Sequence, residues 1–319
     1  MANENIETQR QRASENGRIV DILLRQGEYD EALHLLKEEL APVYEELGDK
    51  REVAIIRGKI ADILQIRGDL DEALRIRTDE EIPVYEDLGD KREIAIARGK
   101  IADILYARGN LDEALRIRAE EQIPVYEALA DKRSIAVTRG KIADILQARG
   151  DLDEALRIRT EEEIPVFEAL GDKREIAVTR GKIADILHAR GDLDEALRIR
   201  TEEQIPVYEA LGDKQGESVV RHRVATSLLQ RDGLTQDNAQ DILEHLDKSF
   251  SAAQEMKLPD GIAFVGSDFA QILAAVGQTE PALQVLALSR EGYAKLGRQD
   301  GIDHCDQLKA QIESGGEGG

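Results

Sequence analysis

The chain has 319 residues, 43 of them Lys or Arg against 65 Asp or Glu, for a formal net charge of −22. With 41% hydrophobic residues it can bury a core, but 3% aromatics and no Trp leave little to stack on nucleic-acid bases, and its acidity repels phosphate. The lone Cys305 excludes a disulfide framework and any multi-cysteine metal site, and no apolar run nears the roughly 20 residues of a membrane span.

Self-similarity dominates the chain. The phrase Gly-Lys-Ile-Ala-Asp-Ile-Leu starts at Gly58, Gly99, Gly140 and Gly181, a constant step of 41, with a looser copy at Gly17. A period in this range marks a solenoid, whose units bury their apolar faces only against neighbours. The polar start at Met1 does not read as a signal peptide, and a cytoplasmic protein is expected.

Each unit reads as a helical hairpin. In residues 49–88, Asp49 with Glu52 forms a capping signal, and Val53, Ile56, Ile60, Ile63 and Leu64 share one face at helical spacing. Gly68 ends this helix, and Asp69 with Glu72 repeats the capping signal. The second helix carries Leu70, Ala73, Leu74, Val84, Tyr85 and Leu88 on its inner stripe before Gly89 stops it. Pro42, Pro83, Pro124, Pro165 and Pro206 occupy one place in the second helix, where a kink is expected. Nothing alternates with period 2, so no strand is expected.

Five such repeats fill residues 1–221. Residues 222–313 hold two diverged repeats, the first with an insertion near Thr235–Ala239, and a polar cap helix near Asp300–Ile312. Residues 314–319 are Gly-rich and expected to be disordered.

Two ladders stand out. Arg77, Arg118, Arg159 and Arg200 fall at the centre of the second helix's apolar stripe, with Glu80/Glu81, Glu121/Gln122, Glu162/Glu163 and Glu203/Gln204 one turn on. In the first unit Leu36 and Leu40 replace Arg77 and Glu81 together, which argues for a buried pair. On the first helix, Asp62, Asp103, Asp144 and Asp185 recur, flanked by Lys59, Lys100, Lys141 and Lys182. Gly58 and its copies suit close helix approach. One place near the Asp varies: Leu24, Gln65, Tyr106, Gln147 and His188.

The spacing of Ala61, Leu64, Gly68 and Ala73 resembles the tetratricopeptide repeat signature. The 41-residue period resembles the longer class of kinesin light chains and of bacterial arrays attached to signalling proteins. The resemblance implies an all-α, right-handed α-solenoid of tandem helical hairpins, with the first helices lining a concave groove. Arg57 stands where the family usually has Trp, and Arg77 and Glu80 replace an aromatic and an alanine. The Lys and Asn of carboxylate-clamping members are replaced by Gly58 and Asp62, so that ligand class is not expected.

No phosphate loop, HExxH or GxSxG occurs, and no two histidines pair at helical spacing. The expected function is a non-enzymatic scaffold without cofactor or metal. Its groove, with Asp62, Gln65, Asp103, Tyr106, Asp144, Gln147, Asp185 and His188 and the four lysines, would hold a basic protein or peptide segment. Nucleic acid and membrane are not expected partners. The alternatives are a self-assembling homo-oligomer and a regulatory subunit of a bacterial effector complex.

Overall fold

The computed structural model describes residues 2–315 and is helical throughout, with no strand among them. The first hairpin pairs α1 (Ala2–Gln26) with α2 (residues 29–46). Four more follow: α3 (Lys50–Arg67) with α4 (70–88), α5 (Lys91–Ala107) with α6 (111–128), α7 (Lys132–Arg149) with α8 (152–170), and α9 (Lys173–Arg190) with α10 (193–211). Then come α11 (Lys214–Asp232) with α12 (Ala239–Glu255), α13 (Pro259–Ala275) with α14 (Thr279–Lys295), and the single helix α15 (Gln299–Gly315). Residues 1–158 and 159–319 form two compact units. Of the tail expected to be disordered, residues 316–319 lie outside the described residues, and Ser314 and Gly315 close α15.

The first capping signal works as read. Asp49 accepts from the Glu52 N–H at 3.3 Å, and Asp90, Asp131, Asp172 and Asp213 cap their helices likewise. The second does not: Asp69 makes no side-chain cap bond, and Glu72 turns instead to Arg75 at 2.7 Å.

Alternation of α and π geometry solves the proline problem. In α4, Leu70–Arg75 is α-helical, Ile76–Glu81 is a π-helix, and α geometry resumes at Ile82–Leu88 with Pro83 in its first turn. The Ile82 N–H reaches back five residues to the Arg77 carbonyl. This widened turn meets the proline, which has no N–H and crowds the carbonyl four residues back. All five second helices carry the same six-residue π segment. The widening stretches the buried stripe to a period of four, so Ala73, Arg77, Glu81 and Tyr85 are all buried, while Leu88 is exposed rather than on the inner stripe.

The two units have different cores. In the first, the first-helix residues Ile56, Ile60, Ile63 and Leu64 pack with Ala73 and Ile76. The end of the second is richer in aromatics, with Phe250 and Phe269 ring centroids 6.0 Å apart. There α13 and α14 come close enough that a Cβ on Gly292 would stand 2.8 Å from the Pro259 carbonyl and 2.9 Å from Ala263 N.

Candidate functional site

The Arg ladder and the Asp ladder are one network. Arg77 lies on the π segment, 2% exposed, and its guanidinium is shared among three acceptors. Nη1 donates to Glu81 at 2.7 Å, and Nη2 to Asp62 at 2.7 Å and to the Gly58 carbonyl at 3.3 Å. Arg118 repeats this with Gln122 at 2.9 Å, Asp103 at 2.6 Å and the Gly99 carbonyl at 3.1 Å. Arg159 donates to Glu163 at 2.8 Å. Arg200 keeps Asp185 at 2.8 Å but gives Nη1 to Ser227 at 2.6 Å, while Gln204 turns to the Ala177 carbonyl. Glu80, the other expected partner of Arg77, pairs with Arg57 at 3.3 Å and Arg75 at 2.8 Å.

Burial sets the energetics of this network. It pushes the Glu81 carboxyl above its ordinary value despite Arg77, and pulls the Arg200 guanidinium below its own despite Asp185. The Nε of Arg77 and of Arg200 is buried without an acceptor. Desolvation therefore opposes ion pairing at Glu81 and at Arg200, and buried pairs of this kind add little net stability.

The glycines play a different part from the one expected. No helix backbone crowds Gly58. A Cβ there would stand 2.7 Å from Glu81 Oε1, and at Gly99 and Gly181 it would meet Gln122 and Gln204. The missing side chain makes room for a polar group reaching across from the second helix.

The conserved carboxylates of the repeat are also tied to the next repeat. Lys100 donates to Asp62 at 2.9 Å, Lys141 stands 3.6 Å from Asp103, and Lys59 donates to Asp21 at 2.7 Å. In the second unit Arg223 pairs with Asp185. Asp144 and Lys182 are half-buried at the same register. Asp62, Asp103 and Asp185 thus face cations within the chain and do not form an open acidic strip.

Where first helices lie side by side, clefts open. One of about 250 Å³ between α5 and α7 is lined by Lys100, Arg118, Arg133 and Lys141 against a single carboxylate, Asp103. Another, of about 310 Å³ between α9 and α11, carries Arg174, Lys182 and Arg223 against Asp185. The first helices α3, α5, α7, α9, α11 and α13 also share an apolar side chain six residues after the N-cap. These are Ile55, Ile96 and Val137 in the first unit, and Val178, Val219 and Phe264 in the second. Ile96 is 37% exposed, Val137 42% and Phe264 42%. The 41-residue step from Ile55 would have found all but Phe264, which lies beyond the insertion. The variable place does not share the cleft. Tyr106 is 40% exposed outside the cleft that Asp103 and Lys100 line, and Gln65, Gln147 and His188 are half-buried at its register.

No helix among the described residues is long and apolar enough to cross a membrane, and no group of three or more metal-ligating side chains occurs among them. The tetratricopeptide repeat family model matches residues 143–159 and 184–200. No curated protein matches the chain in sequence. Among solved structures, the apo form of RapI is 12% identical, covering 90% of this chain and 99% of its own, with a TM-score of 0.62. Aspartyl phosphate phosphatase F from Bacillus subtilis is 11% identical over 87% of this chain and 76% of its own, with a TM-score of 0.57. The Rap conjugation gene regulator of plasmid pLS20, solved with the Phr* peptide, is 12% identical over 85% and 77%, with a TM-score of 0.55. In both its repeat signature and its tandem hairpins, the chain is a tetratricopeptide-like repeat protein.

Proposed function

We propose that the chain is a non-enzymatic scaffold that holds an extended protein or peptide segment across its first-helix clefts. The observation that carries this is a pair of clefts, α5–α7 and α9–α11, each lined by more cations than carboxylates and bordered by apolar side chains, of which Ile96, Val137 and Val219 are exposed. The apolar lip gives contact area, and the lysines and arginines select charge. A peptide-bound neighbour of the same fold supports the reading. This reading takes a partner of the opposite sign to the basic segment first expected. Lys100, Arg118 and Lys141 share Asp62 and Asp103 among them, and with Arg133 the lining of the α5–α7 cleft holds more cations than carboxylates. An acidic segment is therefore the better fit.

The test is selection from a displayed random peptide library on the intact chain. Enrichment of Asp- and Glu-rich peptides is expected, and Lys100→Glu with Lys141→Glu should abolish it. These lysines are partly exposed, and exposed pairs add little stability, so the fold should survive. Enrichment of basic peptides, or none, would overturn the reading.

A further inference from the structure

The repeats serve as controls for one another, and by that comparison the first is different. In three later repeats the space beside the first-helix glycine is filled from the second helix, by Glu81, Gln122 or Gln204. The first repeat keeps the glycine, Gly17, but has Leu36 and Leu40 where the others have Arg and Glu or Gln. The shorter leucines do not reach it. Nothing lies within 4 Å of the position a Gly17 Cβ would take.

The cleft beside Gly17 is about 280 Å³, similar in size to the later ones but different in lining. Its floor is aliphatic: Ala13, Val20, Leu36, Leu40 and Ile56, all buried. Its rim is balanced, with Arg18 and Lys59 against Asp21 and Glu52. The α5–α7 cleft of the same unit has a guanidinium and an amide at the corresponding depth, Arg118 and Gln122. An aliphatic floor rewards burial of carbon and offers a bound water few partners.

We infer that the Gly17 cleft is a pocket for one aliphatic side chain, of leucine, isoleucine or methionine type, carried by the same acidic segment that the cationic clefts hold. The inference rests on the proposed function. The balanced rim gives this cleft no charge preference, so it anchors, while the Lys100–Lys141 cleft selects sign. The recognised segment then combines one aliphatic anchor with a run of carboxylates.

The probe is a displayed random peptide library, followed by a synthetic peptide of the enriched consensus. The intact wild-type chain should enrich peptides with one aliphatic residue beside an acidic run. Gly17→Leu fills the pocket from below, where the space is open, so the thermal midpoint should be unchanged or raised. It should keep the acidic enrichment, lose the aliphatic one, and bind the consensus peptide at least about tenfold more weakly, as for the loss of one buried aliphatic group. Leu36→Arg with Leu40→Glu, which copies the later repeats, should do the same by a different route. Wild-type affinity and wild-type consensus in both variants would overturn the pocket and leave the acidic-segment reading standing. Acidic enrichment without an aliphatic residue in the wild type would also overturn it. A library yielding no binder overturns both readings.

Discussion

Arg77 shows how much a buried side chain depends on its partners. Arg77→Ala would leave Glu81, 6% exposed, without its cation, and should cost about 3–5 kcal/mol in urea unfolding. Arg77→Leu with Glu81→Leu copies the first repeat and should stay within about 1 kcal/mol of wild type, because a buried pair adds little over packed carbon. Similar large losses in both variants would mean that Asp62 and the Gly58 carbonyl also need the guanidinium. A second residue breaks its own repeat's rule. Gly48, Gly89, Gly171 and Gly212 end second helices with φ between 64° and 67°, and Ala130 holds the same place at φ 52°. A left-handed alanine is strained, so Ala130→Gly should raise stability by about 1 kcal/mol, read from the denaturant midpoint. No gain would show that the added freedom of glycine in the unfolded chain cancels the relief.

At the scale of the element, the hairpins were legible because periodicity and caps act within a few residues. Asp49 and Gly68 announce their helix in the sequence, and both do in the structure what they announce. The π segment was not legible. The recurring proline signalled a disturbance in the second helix, but a widened turn and a kink are both answers to the same missing N–H. The merging of the two ladders was hidden for a related reason: Arg77 and Asp62 lie on different helices, and only the hairpin brings them together. Leu36 and Leu40 did disclose that the Arg site is buried, since the swap made two places apolar at once. The glycines misled because an absent side chain looks the same whether it admits a backbone, as at Gly292, or a glutamate, as at Gly58. The π segment also yields a prediction. Proline in an α-helix interior costs about 3 kcal/mol, but Pro83 sits in the first turn after the widening. Pro83→Ala should therefore gain well under that amount in urea unfolding. A gain near the full penalty would show that the π geometry leaves the clash unrelieved.

Across the whole molecule, two electrostatic effects oppose each other. The chain carries a net charge of −22, while its α5–α7 cleft is lined by four cations and one carboxylate. An acidic segment is repelled from afar and attracted at contact. Screening lengths fall from about 30 Å at 0.01 M salt to about 8 Å at 0.15 M, so moderate salt should remove the far repulsion first. The association rate of an acidic peptide should therefore rise over that range, measured by stopped-flow fluorescence. A steady fall would show that the local field of the clefts dominates at every distance. Of the proposed site, the sequence disclosed the Lys and Asp positions but not their pairing, because Asp62 meets Arg77 and Lys100 only once the helices pack.

The seams between repeats have a consequence for how such a chain can change length. In the first unit Lys100 meets Asp62 and Lys141 meets Asp103, while Arg108 meets Asp71 and Arg149 meets Asp112. Each contact joins the same two places on successive repeats, 38 residues apart for the lysines and 37 for the arginines. Excision of residues 100–140 would set Lys141 against Asp62 and Arg149 against Asp71, recreating the seam it removed. An in-frame duplication would likewise add a seam of the existing kind. Loss or gain of a whole interior repeat would thus leave these seam contacts unchanged in kind. A chain shortened or lengthened by one interior repeat is therefore expected to fold cooperatively, with its thermal midpoint checking the outcome.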